Sequence, residues 1–570
     1  MTTKTGRLLH QVLHGEISHA DYMRAIQQQG GSVEQLEQHY VEAHKTFENQ
    51  QSLVNNLSDD YDFIVVGAGS AGSVTAARLS ENPDWRILLL EAGTADTHQD
   101  VFTPSRWPYL FYGDLDWGYS TVQQQHANNR VVHCPRGKMT GGSGSMNATV
   151  WVWGHPMDFD SWAYHGNQGW DYENVRQIFK SMENYSGGDS IYSGKYRGVG
   201  GPMPCASNDD PNPLAAAFVK GAIEQGIPYV HSYNGPDLNG VSYFELNRKD
   251  GERFNVCRAY LVPAMARPNL TVLKHAETRK LTFTGTRCTG VEVVVNGKIR
   301  NFKAAQETIV CCGAINTPKL LMLSGIGAAS ELAALDIPVV ADLPGVGKHL
   351  QDHILLAGIN YQCKGELPPV KGNAAEATLW WKSNPALHSP DIQPVFIEFP
   401  FATPELAAAV PENCYAIAPS LVRPAACGSV SLSSNDPAAA PNIDMNYLGC
   451  DADINALIAS LDLCREIGNS SAFAEYRKQE VLPGPLKTKA EKVDFIRMST
   501  TTYFHPTSSC RMGIDAMAVV DPALKVYGVE GLRIADASAM PEITSGNTNA
   551  PSMLMGEQVA RFIKAERKVS

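Results

Sequence analysis

The sequence predicts an α/β fold built around a buried parallel sheet, and three stretches of the chain indicate it. Residues 62–66 form a continuous apolar and β-branched run, as expected for a strand covered on both faces. A glycine-rich turn, a helical pattern and a second apolar run at residues 86–90 follow directly. Residues 308–327 repeat the order of strand, turn and helix. Strands that alternate with helices are typical of α/β proteins.

Length and composition describe a large globular protein. The chain has 570 residues, which at about 150 residues per domain allows two to four domains. A hydrophobic fraction of 44% is enough for a large core, so a predominantly disordered chain is excluded. The formal charge is -12, from 47 basic and 59 acidic residues, and no run of Lys or Arg stands out. We therefore expect no nucleic-acid partner and no binding to an anionic membrane surface.

The twelve cysteines indicate a reducing compartment. They lie between Cys134 and Cys510 without a Cys-x-x-Cys pair, so neither a zinc knuckle nor a thioredoxin motif is present. The adjacent Cys311 and Cys312 are interpreted as buried structural thiols, with a redox pair as the alternative. Residues 1–14 lack the apolar core of a signal peptide, and no stretch approaches 18 uninterrupted apolar residues. We expect a cytoplasmic protein without an integral membrane segment.

Residues 1–58 differ from the rest of the chain and predict a helical N-terminal extension. Sequences resembling capping boxes begin at Ser18 and Ser32, and the pair Gly30-Gly31 separates the two helices that they would start. A helical hairpin packed on its own core is the expected form. An arm through which the protein forms a homo-oligomer or binds a partner is the functional alternative.

The turn after the first strand carries a dinucleotide-binding fingerprint in which Gly67, Gly69 and Gly72 have the spacing G-x-G-x-x-G. The first glycine permits the tight turn, the second lets a pyrophosphate approach the backbone, and the third lets helix and strand pack closely. Ser70 and Ala71 begin the helix, whose N-terminus would face the phosphates. The sequence therefore predicts a Rossmann-like dinucleotide-binding domain.

Glu91 ends the second strand, about 20 residues after the fingerprint. At this position a carboxylate accepts hydrogen bonds from a ribose 2′-hydroxyl and repels a 2′-phosphate. FAD or NAD is therefore favoured over NADP, and the motif alone leaves the choice between FAD and NAD open.

Four further motifs follow along the chain. Residues 136–147 form a second glycine-rich loop, in which small residues allow backbone N–H groups to close on a phosphate or a flat ring. The other three motifs are residues 313–327, residues 505–513, which begin with His-Pro, and residues 531–551, which contain the run Gly-Asn-Thr-Asn.

The chain resembles the glucose-methanol-choline (GMC) oxidoreductases, a family of FAD-dependent alcohol dehydrogenases and oxidases. The resemblance covers about residues 60–566, with the five motifs in the family's order and approximate spacing, and it includes segments 269–272 and 343–353. It implies an α/β fold in which a Rossmann-like FAD-binding domain is interleaved with an α+β substrate-binding domain. The expected FAD-binding segments are residues 60–150, 255–330 and 500–570, and the expected substrate-binding segments are residues 151–254 and 331–499, after the helical extension of residues 1–58.

The resemblance also assigns residues to the cofactor. Gly142 and Asn147 are expected near the pyrophosphate and the isoalloxazine, and the backbone of Val272 on the adenine. Asp536 and Ala537 are expected on the pyrophosphate and ribitol side, with a strand-end cap as the alternative role for the aspartate.

Four residues depart from the family pattern. Met146 stands where some members carry a histidine bonded covalently to the flavin, so non-covalent FAD is implied. Thr140 replaces an aliphatic residue, and Ser508-Ser509 replaces Gly-Thr.

Oxidation of an alcohol needs a base for the hydroxyl proton, while flavin N5 can accept the hydride from carbon. The unperturbed pKa of histidine lies near working pH, and His505 matches the catalytic histidine of the family. The family places a second His or Asn across the substrate oxygen; the match is Asn547, with Asn549 as its competitor. An amide cannot act as a base, so Asn547 is expected to donate a hydrogen bond to the developing alkoxide.

Other residues beside the motifs receive less definite roles. Three residues lack a recognised metal-ligand spacing, and because the family uses no metal they are expected to be structural: His349, Asp352 and His353. Four aromatic residues are candidates for the wall of the substrate pocket, with core packing as the alternative: Trp151, Trp153, Tyr503 and Phe504.

The predicted function is oxidation of a primary alcohol to the aldehyde by a choline dehydrogenase-like flavoprotein. The sequence leaves open which alcohol reacts and whether O₂, a quinone or another compound accepts the electrons. A lyase resembling hydroxynitrile lyase, in which His505 acts as a base without net redox chemistry, is the first alternative. A non-catalytic flavoprotein that assembles through residues 1–58 is the second.

Overall fold

The structure is a computed structural model that describes residues 3–28, 33–187, 194–208, 210–235 and 238–568. Its two largest sheets have seven and six strands. No helix of the described residues is long and apolar enough to cross a membrane.

The seven-stranded sheet contains the predicted parallel strands. Its order is Leu270–Leu273, Ile87–Leu90, Asp60–Val66, Lys298–Val310, Arg287–Val295 and Ala276–Thr284, and Leu532–Ile534 pairs with the end of Lys298–Val310. The first four strands of this order and Leu532–Ile534 are paired in parallel. Arg287–Val295 and Ala276–Thr284 are added by antiparallel pairing. Because the carboxyl ends of parallel strands meet at one edge, the turns that follow them come together there.

Two helices pack next to each other beside this edge. Ser70–Leu79 begins directly after the first strand, as the fingerprint predicts, and contacts the C-terminal helix Asn549–Glu566. A Cβ atom at Gly556 would lie 2.4 Å from the carbonyl oxygen of Ala71, so this close approach requires glycine.

The six-stranded sheet is antiparallel throughout. Its order is Arg477–Leu482, Ile359–Cys363, Cys414–Ala418, Val395–Ile397, Ala377–Trp380 and Gly240–Tyr243. Helices Pro213–Glu224 and Asp451–Asn469 contact strands of this sheet and each other. The strands of each sheet fall inside the segments expected for one of the two domains; the domain boundaries themselves stay a prediction.

Short elements complete the described fold. The other α-helices of the main body are Gln99–Phe102, Pro156–Tyr164, Tyr172–Met182, Val262–Ala264, Gly313–Leu323, Ala329–Ala333, Pro404–Ala407 and Lys489–Ser499. The other strands are Tyr119–Ser120, His133–Cys134, Glu183–Tyr185, Met203–Ser207, Glu245–Leu246, Arg248–Lys249, Glu252–Arg253, Ile326–Gly327, Ala341–Asp342, Lys348–Leu350, Ile354–Leu356, Ser420–Leu421, Gly428–Ser431, Asn442–Asp444 and Thr500–Thr502.

The N-terminal extension has three helices, so the predicted hairpin of two was wrong. They are Thr3–Leu13, His19–Gln27 and Val33–Asn55. The first was missed although its apolar residues recur at helical spacing and pack in a core shared with the second. Ser18 accepts a hydrogen bond from the backbone N–H of Asp21, as the predicted cap requires, whereas Ser32 and the pair Gly30-Gly31 lie outside the described residues.

The extension packs on the seven-stranded sheet as well as on its own core. The side-chain amide of Gln50 donates to the carbonyl oxygens of Met265 and Leu270, both at 2.8 Å, and its oxygen accepts from the N–H of Val272 at 3.0 Å. Leu270–Leu273 is the edge strand of the sheet, so Gln50 satisfies backbone groups that would otherwise be open to another strand.

Candidate active site

One cavity connects the carboxyl edge of the seven-stranded sheet with the six-stranded sheet. Its volume is about 2120 Å³, including the part open to solvent. Eleven of the thirteen predicted site residues line it: Gly67, Gly69, Ser70, Ala71, Glu91, Gly142, Asn147, His505, Asp536, Ala537 and Asn547. Gly72 and Val272 do not, and each has a different reason.

The glycines at one end of the cavity form a cradle that side chains would fill. Gly67 has a φ of +98°, and a Cβ there would lie 2.6 Å from the carbonyl oxygen of Cys311. A Cβ on Gly142 would lie 2.9 Å from the Cα of Gly69. Gly72 lies behind the cradle, where a Cβ would come within 1.8 Å of the carbonyl oxygen of Gly67, so it lets the helix pack on the turn.

Three helices begin at this end of the cavity, and no N-cap side chain bonds across any of their N-termini, although Asp536 accepts from the N–H of Gly313 at one of them. They are Ser70–Leu79, Gly313–Leu323 and Asn549–Glu566, with Gly69, Cys312 and Thr548 at their N-caps. Free N–H groups and the positive ends of helix dipoles favour an anion. The cradle and these helix ends therefore fit the pyrophosphate of a dinucleotide.

Asn549 belongs to this end of the cavity. Its Oδ1 accepts a hydrogen bond of 2.8 Å from the hydroxyl of Ser70, which joins two of the helix N-termini. Asn147 lines the same cavity, and its Oδ1 accepts from the N–H of Thr149 and from Arg253, so its amide nitrogen is the donor that remains for a ligand.

Two buried carboxylates face the cradle. Glu91 accepts from the N–H groups of Ala68 at 2.9 Å and Gly93 at 2.8 Å, and burial raises its pKa to about 7. Each of its oxygens keeps a lone pair for a ribose hydroxyl. Asp536 caps the short helix Ala537–Ala539 and also accepts from the N–H of Gly313 and the hydroxyl of Thr317, so it is a strand-end cap that also lines the cavity.

Val272, predicted to bind the adenine through its backbone, does not line the large cavity. The residue lies within an edge strand, its N–H donates to Gln50, and it lines a different, smaller cavity. The next strand along the chain, Ala276–Thr284, reaches the large cavity through Glu277, Thr278 and Arg279. The sequence pattern did not show which of the two strands reaches the cavity.

His505 and Asn547 meet at the other end of the cavity. The Nδ2 of Asn547 lies 3.3 Å from the Nε2 of His505. The amide of Asn547 is held by Gln393, whose Nε2 donates to its Oδ1 at 3.1 Å. The two residues are 42 positions apart in the chain, and the structure places both against the same space.

Two residues expected to be merely structural hold His505 in place. The Nδ1 of His353 lies 2.9 Å from the Nδ1 of His505, and its Nε2 lies 2.9 Å from the carbonyl oxygen of Thr544. Asp352 accepts from the backbone N–H of His505 at 2.8 Å and from the hydroxyls of Tyr447 and Thr502. Their positions more than 150 residues before the His-Pro motif gave no sequence signal of this contact.

The hydrogen-bond chain assigns the tautomer of His505. A carbonyl only accepts, so Nε2 of His353 carries the hydrogen, and its Nδ1 is an acceptor because burial lowers the pKa of His353 to about 3. His505 therefore donates from Nδ1. Its Nε2 is unprotonated and accepts from Asn547. Burial, followed by the charges of His353 and Arg136, lowers the pKa of His505 well below its usual value, so this base is neutral.

The wall around His505 is apolar and aromatic. Tyr503 and Phe504 line it as proposed, whereas Trp151 and Trp153 are core residues: the first donates to Glu183 and the second stacks on Phe179. The other apolar residues of this wall are Trp107, Phe111, Val150, Phe244, Leu355, Ala375, Val395, Ile397 and Phe401. The lining carboxylates, Glu91, Glu277 and Asp536, belong to strand ends of the seven-stranded sheet.

Comparison with known proteins agrees with the family resemblance of the sequence motifs. Residues 61–355 match the N-terminal and residues 424–556 the C-terminal model of the GMC oxidoreductases. An oxygen-dependent choline dehydrogenase from Paraburkholderia xenovorans (strain LB400) is 36% identical over 552 residues, which are 90% of this chain and 96% of the relative. The alcohol dehydrogenase [acceptor] of Pseudomonas putida is 36% identical over 88% of this chain and 95% of its own.

A solved structure shows the same fold. The crystal structure of pyridoxine 4-oxidase from Mesorbium loti superposes with a TM-score of 0.84 at 34% identity. The match covers 88% of this chain and 98% of that chain.

Proposed function

Because the chain belongs to the GMC oxidoreductase family of FAD-dependent alcohol oxidoreductases, we propose that it oxidises a primary alcohol to the aldehyde with His505 as the base. One observation carries the proposal: the unprotonated Nε2 of His505 faces the cavity, and the hydrogen bonds from His505 to His353 and from His353 to Thr544 fix its tautomer. FAD would be held without a covalent bond, in the cradle of Gly67, Gly69 and Gly142.

FAD, when bound, supplies the acceptor for the hydride that leaves the alcohol carbon. The protein's own residues handle the proton. His505 takes it from the hydroxyl group at Nε2, where the hydroxyl replaces Asn547 as the donor, while its Nδ1 continues to donate to His353. The backbone bond to Asp352 and the bond to His353 limit rotation of the imidazole, so the base is oriented before the substrate arrives.

Asn547 acts on the oxygen. One hydrogen of its Nδ2 points to His505 and leaves the other for the alcohol oxygen, where negative charge develops as the proton departs. Gln393 donates to its Oδ1 and thereby fixes which end of the amide faces His505. The amide therefore binds the alkoxide and contributes no base.

We propose further that the substrate is an uncharged alcohol with an apolar body. The wall near His505 is apolar, and no carboxylate lines it among the described residues. The buried guanidinium of Arg136 helps to lower the pKa of His505, so its positive charge also acts where the substrate binds. An ammonium group placed there would be repelled, whereas an aromatic or aliphatic group would be buried favourably.

A matched pair of alcohols tests this substrate class. Choline and dimethylbutanol have the same shape, but a tert-butyl group replaces the trimethylammonium group in the second. We expect kcat/KM for dimethylbutanol to exceed that for choline by at least about tenfold, equivalent to roughly 1.4 kcal/mol. A preference for choline in the same assay would show that the aromatic wall binds cations and would overturn the proposed substrate class.

The pH dependence tests the state of His505. A base works in its unprotonated form, so the reaction slows only as the pH falls through the pKa of the base. Burial has moved the pKa of His505 well below the usual 6.5. The rate constant for flavin reduction by an alcohol should therefore stay level from about pH 8 to below 6.5. An acid limb with an apparent pKa at or above 6.5, measured in single-turnover experiments, would contradict a buried neutral His505.

A further inference from the structure

A cluster of three side chains that could bind a metal ion lies outside the large cavity lined by His505, where the first helix of the extension meets the loop after strand Ile87–Leu90. His10 and His14 are four residues apart, which places them on one side of a helical segment, and Asp96 comes from the loop. The Nε2 of His10 lies 3.1 Å from Oδ1 of Asp96, and the two imidazole centroids are 4.7 Å apart. One ligand atom from each residue lies within 4.8 Å of the others.

One atom of this cluster has no partner. The Nε2 of His14 is buried and makes no hydrogen bond to any described residue. An unsatisfied buried nitrogen is costly, and a lone pair directed at a cation would remove the cost. His10 and Asp96 are themselves 2% and 1% exposed, so these two partners are already desolvated.

We propose that His10, His14 and Asp96 form a site for a divalent transition metal of the Zn²⁺ class. Two imidazoles and a carboxylate are a common donor set for such ions. With ligand bonds of about 2.0 Å, neighbouring ligand atoms in a tetrahedral site are about 3.3 Å apart, which is close to the His10–Asp96 distance. Water from the adjoining cavity, of about 640 Å³, completes the coordination.

Two hydrogen bonds orient the carboxylate of Asp96, as is common for carboxylates that bind metal ions. The hydroxyl of Thr140 donates to Oδ1 of Asp96 at 2.7 Å, and Asn255 donates to Oδ2 at 2.6 Å. Thr140 directly precedes Gly141 and Gly142 of the cofactor cradle. The ion would therefore clamp the extension to the loop that surrounds the cofactor.

Lys274 is the cation that faces the cluster. Its Nζ lies 3.2 Å from Nδ1 of His14, burial lowers its pKa, and Glu16 and Asp96 act in the opposite direction. A metal ion on Nε2 of His14 places the ring hydrogen on Nδ1, so Lys274 gives up this contact when the ion binds.

Co²⁺ binding to the FAD holoenzyme tests the site, because the ion reports its ligands through visible bands at longer wavelength than the flavin. After treatment with EDTA and dialysis, one equivalent of Co²⁺ should give these bands, and Zn²⁺ should abolish them by competition. His14→Gln keeps an acceptor for Lys274 but removes the imidazole, and should weaken Co²⁺ binding by at least about tenfold. His126→Ala, at an exposed histidine outside the cluster, should bind as the wild type does.

Either of two results would overturn the proposal. One is the absence of a stoichiometric Co²⁺ spectrum in the wild-type holoenzyme, which decides the matter even if the variant does not fold. The other is unchanged Co²⁺ affinity in His14→Gln with its flavin spectrum intact. A rise in the unfolding temperature with Zn²⁺ in the wild type, absent from His14→Gln, is the expected second readout.

Discussion

Replacing His505 with alanine should lower kcat by about 10²–10⁴-fold, the range by which a positioned general base accelerates proton transfer. The variant loses Nε2 of His505, the nitrogen that the hydrogen bonds through His353 and Thr544 direct at the cavity. Asn547 remains, but an amide does not accept the proton. Steady-state turnover and single-turnover reduction of the bound flavin should fall together, because the proton transfer precedes or accompanies hydride loss.

His126→Ala is the matched control for this variant, since it removes an exposed histidine that lies outside the cavity. Its turnover should equal that of the wild type. The His505→Ala protein should retain its flavin, because the cradle lies at the other end of the cavity, and small amines such as imidazole should restore part of the rate from the space left behind. Undiminished turnover in His505→Ala would show that another group is the base.

Replacing Gly72 with alanine should weaken FAD binding by about a hundredfold or more. The added Cβ would come within 1.8 Å of the carbonyl oxygen of Gly67 and 3.1 Å of the Cβ of Cys311, so the helix must move off the turn. Overpacking of this kind costs about 3 kcal/mol, and each 1.4 kcal/mol is a factor of ten in affinity. Fluorescence titration of the apoprotein with FAD measures the change.

Gly113→Ala provides the comparison for a harmless glycine substitution. No heavy atom lies within 4 Å of the Cβ position at Gly113, and the affinity for FAD should not change. Wild-type FAD affinity in Gly72→Ala would contradict the assignment of the first turn and helix to the cofactor.

The cofactor end of the cavity was largely predictable because its signals are local. A strand, three glycines and a helix occupy consecutive positions from Asp60 to Leu79, and their spacing expresses the geometry that a pyrophosphate needs. Val272 shows the limit of this reasoning. The strands Leu270–Leu273 and Ala276–Thr284 follow each other closely in the chain but form opposite edges of the sheet, and only the tertiary structure shows that the segment around Thr278 reaches the cavity.

The support of the candidate base was not predictable from a single sequence. His353 and Asp352 lie in a segment far from the His-Pro motif, and pairing of the strands Ile354–Leu356 and Thr500–Thr502 brings them beside His505. No periodicity links these segments, because the contact depends on tertiary packing. The resemblance to a family supplied His505 and Asn547, but it gave their neighbours no role.

The N-terminal extension was recognised as helical and as having its own core, but the number of its helices and its polar contacts with the main body were missed. Its apolar spacing indicated a small core, whereas the structure adds polar contacts of Gln50 and His10 to the main body. A single glutamine or histidine carries no sequence signal of its partner. The prediction that the extension mediates a homo-oligomer stays a prediction.

Anaerobic mixing of the FAD holoenzyme with a neutral aromatic primary alcohol tests the proposed oxidation most directly. Oxidation of the alcohol requires the flavin absorbance to bleach, with one aldehyde formed per flavin, and deuterium on the alcohol carbon should slow the bleaching. The spectrum should be restored by O₂ or by a dye acceptor. An unchanged flavin spectrum across aromatic, aliphatic, choline-like and sugar alcohols, with the cofactor fully bound, would contradict alcohol oxidation and favour a lyase that uses His505 without redox chemistry.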